Sequence, residues 1–130
     1  WGWSLVAVFW LRSLYMPVFL HLALFNHIGL ERLMAKIPWL PHQSKTTRNV
    51  KPHWFLVGMG GNAFVHRHIE HHLFPSLPNR MLNKIMPLVR AALDREGYVY
   101  IEDAYGQCLK MCIKYYRELF IKGPPPLTFK

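Results

Sequence analysis

Acidic side chains are scarce. Asp and Glu number 7 against 16 Lys and Arg, which leaves a formal charge of +9 at pH 7 on 130 residues. Such an excess suits nucleic acid or anionic lipid. No RNA- or DNA-binding motif accompanies it, and an apolar segment near the start makes lipid headgroups the better partner. Cysteine is scarce too. Cys108 and Cys112 stand four apart, without the paired spacing of a zinc ribbon, and read as small apolar residues on a helix. They give no sign of an oxidising compartment. Internal repeats do not occur. No signal peptide is visible, which carries no weight in a chain that opens at Trp1 within an apolar run, as a piece of a longer protein is expected to. No serine, cysteine or carboxylate is placed as a nucleophile. A helical HExxH is missing as well, which argues against a zinc hydrolase.

What the chain does have is apolar surface: 52% of its residues are hydrophobic. Trp3 to Phe25 is a nearly unbroken apolar run, and about 20 such residues span a bilayer as a helix. Arg12 interrupts it near the middle, at a cost of ~2.5–3.5 kcal/mol on insertion scales. It is expected either to face a protein partner or to mark a segment truncated at Trp1. Pro17 is expected to kink the helix. Trp1, Trp3 and Trp10 suit an interfacial aromatic belt. The competing reading is a helix buried in a soluble core. Residues 28–53 are polar and basic, with Lys45, Arg48 and Lys51 near His42 and His53. Positive charge beside a membrane helix marks the cytosolic side, and the run itself reads as a solvated face.

Beyond it, Trp54 to Arg67 reads as an apolar helix interrupted by Gly58, Gly60 and Gly61. Residues 79–95 form an amphipathic helix with Leu82, Ile85, Val89 and Leu93 on one face, and Gly97 stops it. A last helix runs from about Ala104 to Phe120, with Asp103 as N-cap and a stripe of Leu109, Cys112, Ile113, Tyr116 and Phe120. The tail Gly123-Pro124-Pro125-Pro126 is expected to be extended or disordered. The fold class is therefore all-α: a membrane helical protein with one transmembrane segment and cytosolic amphipathic helices.

Chemistry concentrates between His66 and Pro78. Within His68-Ile69-Glu70-His71-His72, positions 68, 71 and 72 fall on one helical face, with Glu70 pointing elsewhere. Pro75 biases Phe74 away from helix, so the histidines sit at a helix end. Three imidazoles at this spacing read as metal ligands rather than as a protonated surface patch. An all-nitrogen set suits Fe, Zn, Cu or Ni, and spacing does not choose among them. His66 is read as a surface residue or as one that orients a ligand, and His21 as a packed bystander.

His68-Ile69-Glu70-His71-His72-Leu73-Phe74-Pro75 resembles the third histidine box of membrane-bound fatty acid desaturases, (H/Q)xxHH. The likeness continues through Ser76-Leu77-Pro78 and Asn83-Lys84-Ile85-Met86-Pro87-Leu88-Val89. Upstream, Asn26-His27-Ile28 resembles the family's Asn-His-Ile after its last membrane segment. The resemblance covers about residues 1–100, the C-terminal part of a desaturase domain. It leaves 101–130 as a C-terminal helix and Pro-rich tail. It implies two non-haem irons with O2 as co-substrate, and His27, His68, His71 and His72 as ligands. Asn26 and Glu70 are implied as residues that orient ligand imidazoles. The implied partners are a fatty acyl-CoA or acyl-lipid substrate, cytochrome b5 or a similar donor, and a membrane; no nucleic acid is among them. The implied location is the endoplasmic reticulum, with the box on the cytosolic side. Two departures stand out. Ala23 occupies a position where the acyl-CoA branch has asparagine. His68 replaces the glutamine common in front-end desaturases, although Ile69-Glu70-His71-His72 matches them, which leaves the double-bond position open. The family's first two boxes do not occur here, and four histidines cannot complete two iron sites. The 130 residues alone are therefore expected to be inactive. A related di-iron hydroxylase, or a non-catalytic basic membrane-surface module, remains the alternative.

Overall fold

A computed structural model describes residues 2–31, 36–58 and 65–123. Helix α1 (Gly2–Phe25) takes up the apolar run and passes unbroken through position 17. It is long and apolar enough to cross a bilayer, and among the described residues no other helix is. Most of its flank is bare: Trp3, Phe9, Trp10 and Leu14 are all exposed, and only its last turns are covered. Helix α2 (Trp39–Thr46) follows. Pro41 falls in its first turn, where a missing N–H costs nothing. Strand β1 is two residues long (Asn49–Val50), and helix α3 is one short turn (Trp54–Gly58). Residues 59–64 of the helix expected to run on to Arg67 lie outside those described, as does the tail from Pro124.

Helix α4 (His68–Leu73) carries the histidines and ends at Phe74, before Pro75, as expected. Helix α5 (Asn79–Arg95) buries Leu82, Val89 and Leu93, with Ile85 partly covered on the same face. Its end has a physical cause. Gly97 takes φ 75°, which L side chains resist. Tyr98 N–H then donates to Leu93 O at 2.8 Å and Gly97 N–H to Asp94 O at 3.1 Å, a Schellman closure. The turn sends the chain back along α4. There strand β2 (Glu102–Asp103) pairs in parallel with β1, Asn49 against Glu102 and Val50 against Asp103.

Helix α6 (Tyr105–Lys122) differs from expectation in two ways. Asp103 does not cap it. That residue is committed to the strand pair, where its C=O accepts from Lys51 N–H at 2.8 Å and its carboxylate lies 3.5 Å from Arg48. Gln107 Oε1 instead accepts from Ala104 N–H at 3.0 Å. The buried stripe is also turned. Cys108 and Cys112 are buried, with Tyr105, Leu109, Met111 and Tyr115 packed beside them, whereas Ile113, Tyr116 and Phe120 face outward. Spacing alone identifies an apolar sector but not which part of it a neighbour covers.

Two small cores result among the described residues. One gathers Leu22, Phe25 and Ile28 with Val50, Leu56, Val65, Cys108 and Cys112, where α6 crosses the end of α1. The other packs Ile69 and Leu73 against Val89 and Leu93. The cysteines pack as apolar residues, and burial raises both thiol pKa values. The fold is mostly helical, with the two-residue pair β1–β2 as a departure from all-α. The basic stretch after α1 is not a solvated face throughout. Ser44, Thr47, Arg48, Asn49 and Val50 are buried.

Candidate metal centre

The end of α1, the end of α2 and the start of α4 converge. His27 follows α1 by two residues, and its Nε2 lies 2.8 Å from Nε2 of His68. One turn along α4, Nε2 of His72 lies 3.1 Å from the same atom. The i, i+4 spacing on α4 places these two rings 4.5 Å apart, and the bend after Phe25 brings in the third. Ligands on one metal at about 2.0–2.1 Å leave neighbouring nitrogens about 3 Å apart. The observed separations therefore fit a shared ion, and His27, His68 and His72 form a group that could hold one.

The outer nitrogens are prepared for this. Nδ1 of His27 lies 2.9 Å from the Thr46 carbonyl oxygen, and Nδ1 of His72 lies 2.9 Å from Gln43 Oε1. A carbonyl oxygen only accepts, so each Nδ1 carries the proton and each Nε2 presents a lone pair. Burial pushes the His72 pKa down to about 4, helped by the neighbouring His27, His71 and His42. It is thus neutral at physiological pH, the form that ligates metal.

His71 does not join the group. Its ring centroid lies 6.2 Å from those of both His68 and His72. The three box histidines share a helix surface but not one meeting point. His66 is buried rather than superficial. Its Nδ1 meets the Val50 carbonyl at 2.7 Å, Nε2 has no hydrogen-bond partner among the described residues, and burial lowers its pKa. His21 packs against Phe25 and meets the Tyr105 hydroxyl at 3.3 Å.

Among the described residues, neither Asn26 nor Glu70 hydrogen-bonds to an imidazole. Asn26 Nδ2 donates to the carbonyls of Arg48, at 2.8 Å, and Val65, at 2.9 Å. Its own carbonyl accepts from Arg48 N–H at 3.0 Å. The residue thereby ties the end of α1 to both chain segments that flank the site. Glu70 is fully buried. Its Oε2 accepts from Asn49 Nδ2 at 2.8 Å, and its Oε1 accepts from the Tyr100 hydroxyl at 2.6 Å. The tyrosine pKa is raised, chiefly by burial and then by this bond.

The sequence reading missed Asn49, Tyr100 and Gln43. Asn49 holds α4 twice, since its Oδ1 also accepts from Ile69 N–H at 2.9 Å. Tyr100 stacks under the Arg90 guanidinium, 4.3 Å from the ring centroid, and Arg90 is paired with Glu102 at 2.9 Å. Arg48 is buried beside this network and donates to Ile28 O at 2.8 Å. One signal was available: residues 98–103 carry two tyrosines and two acids directly after a glycine stop.

The arrangement defines a helical protein with converging imidazoles at the end of a helix of spanning length. The comparisons make the class specific. The chain belongs to the fatty acid desaturase family, whose sequence model matches residues 1–104. It is 28% identical to human fatty acid desaturase 6 over 134 residues, covering 94% of this chain and 35% of the relative. It is 34% identical to the Delta(5) fatty acid desaturase fat-4 of Caenorhabditis elegans over 125 residues, 90% of this chain and 27% of the relative. Mouse fatty acid desaturase 6 is 33% identical over 116 residues, 88% and 34% of the two chains. The chain thus spans about a third of the length of the curated relatives it matches. No solved structure matches it.

Proposed function

We propose that this chain is part of an O2-dependent fatty acyl desaturase and supplies His27, His68, His71 and His72 to a centre of two non-haem irons. The observation that carries this is the convergence of His27, His68 and His72 in a chain of the desaturase family. Those three are assigned to one iron. His71, set apart from their meeting point, is assigned to the other, and the remaining ligands come from elsewhere in the protein. Iron with O2 and two electrons supplies the power to break an unactivated aliphatic C–H bond, which no side chain possesses. The chain's own residues hold the ligands. Thr46 and Gln43 fix the protonated Nδ1 of His27 and His72, while Asn49, Glu70 and Tyr100 set the position of α4. Residues 1–100 are assigned to the desaturase part and 101–130 to a C-terminal addition.

The substrate is proposed to be a fatty acyl-CoA or acyl-lipid, in keeping with relatives named as fatty acid desaturases. The electron donor is proposed to be cytochrome b5 or a protein like it. A spanning α1 sets the centre at a membrane surface, and the basic segment after it favours the cytosolic face, in the endoplasmic reticulum. The test is expression of the intact protein in cells that lack the activity, fed defined fatty acids. A new double bond that needs O2 and disappears in His68→Ala is expected, together with iron in the purified protein. An alcohol product would instead make the protein a hydroxylase, and purified protein without iron would overturn both readings.

A further inference from the structure

We propose that the outer flank of α6 docks on an anionic phospholipid surface. The inference rests on α1 spanning the bilayer. Helix α6 has a buried side, and next to it an apolar stripe with nothing over it among the described residues. Phe120 is 95% exposed, Ile113 60% and Tyr116 48%. At about 100° per residue these three fall within one sector of about 60°. The adjoining sector holds Lys110, Lys114 and Arg117. Helix α6 carries four cations, Lys122 included, against the single acid Glu118.

Depth makes lipid the occupant. Tyr105 at the start of α6 packs on His21 and Phe25, with centroids at 6.4 and 5.3 Å. His21 lies four residues inside the end of α1, about 6 Å along the axis. Met111 then packs over Gly29, just beyond that end. The helix thus crosses the mouth of α1 at headgroup level instead of leaving it. An apolar stripe at that depth enters the acyl boundary, while the adjoining long cationic side chains reach lipid phosphates. Three clustered cations beside the stripe complement the charge of an anionic leaflet.

The test uses the intact protein in phosphatidylcholine vesicles with and without phosphatidylserine. Spin labels are placed singly by Phe120→Cys, Phe9→Cys and Leu88→Cys, and the parent protein with its buried thiols gives the background. Collision with O2, which concentrates in lipid, is compared with collision with a water-soluble nickel complex. The expected result is lipid contact at 9 and 120 and water at 88. Phosphatidylserine should increase the contact at 120, and neutralising Lys110, Lys114 and Arg117 to Gln should weaken it by roughly fivefold per cation. A label at 120 that meets the nickel complex while 9 sits in lipid overturns the docking and leaves the spanning helix intact. A label at 120 shielded from both probes shows a protein cover and also overturns it. Water at position 9 overturns the spanning reading, and the docking falls with it.

Discussion

The two ends of α1 live in opposite conditions. Toward Gly2 the large side chains described are exposed. Past Phe25, in contrast, the buried side chains of Asn26, Arg48, Asn49 and Glu70 and the partly buried Tyr100 make hydrogen bonds to one another or to backbone groups. The first region depends on its surroundings to cover it. The second is specified from within, because every buried donor that loses its acceptor there is exposed to the full cost of desolvation. Metal ligands belong in the second kind of region, since their orientation must be fixed before the ion arrives.

Substitutions should break this contrast in a definite order. His68→Ala removes the nitrogen that both other imidazoles face. Iron content and desaturation by the intact protein should fall below detection, measured by elemental analysis and product chromatography. Asn49→Ala comes next. It strips an acceptor from Ile69 N–H and a donor from Glu70, and unfolding should become easier by about 3 kcal/mol with partial loss of metal. Thermal melting with and without chelator reads both effects, and an unchanged melting point would mean that the network does not hold α4. Gln43→Ala should separate the two functions. Metal affinity should drop by about 10–100-fold while the melting point of the metal-free protein barely moves; competition with a graded chelator measures it. Tyr100→Phe removes one hydroxyl shared by two partners and should cost about 1–2 kcal/mol. At the quiet end of the molecule, Leu14→Ala on the bare flank of α1 should stay within about 0.5 kcal/mol in the same melting assay. A larger loss there would show that another part of the protein packs on that flank.

Much of this was legible where the information is local. The i, i+4 spacing of His68 and His72, the stop before Pro75, the face of α5 and the glycine at its end all follow from a few neighbouring residues. The long-range part was not. Nothing near Arg48 or Asn49 distinguishes them from solvated basic-loop residues, because their partners lie far along the chain; Asn49 and Tyr100 are 51 positions apart. A strand pair of two residues is too short to show alternation. The same limit hid the hydrogen-bond partners of Asn26 and Glu70. Their proximity to histidines in sequence suggested contact with imidazoles, whereas their side chains turn to backbone and to Asn49 and Tyr100. His71 adjoins His72 in sequence yet stands outside the triad, which draws its third member from 41 positions upstream.

The parallel pair β1–β2 also bears on the order in which the protein is made. Asn49 cannot meet Ile101, nor Lys51 meet Asp103, until that last segment has left the ribosome. During synthesis α1 is long since complete, and the histidines of α4 have emerged, while Glu70 still lacks the Tyr100 hydroxyl. The scaffold proposed to hold the metal ligands is therefore complete only when residues 98–103 arrive, after the imidazoles themselves have appeared.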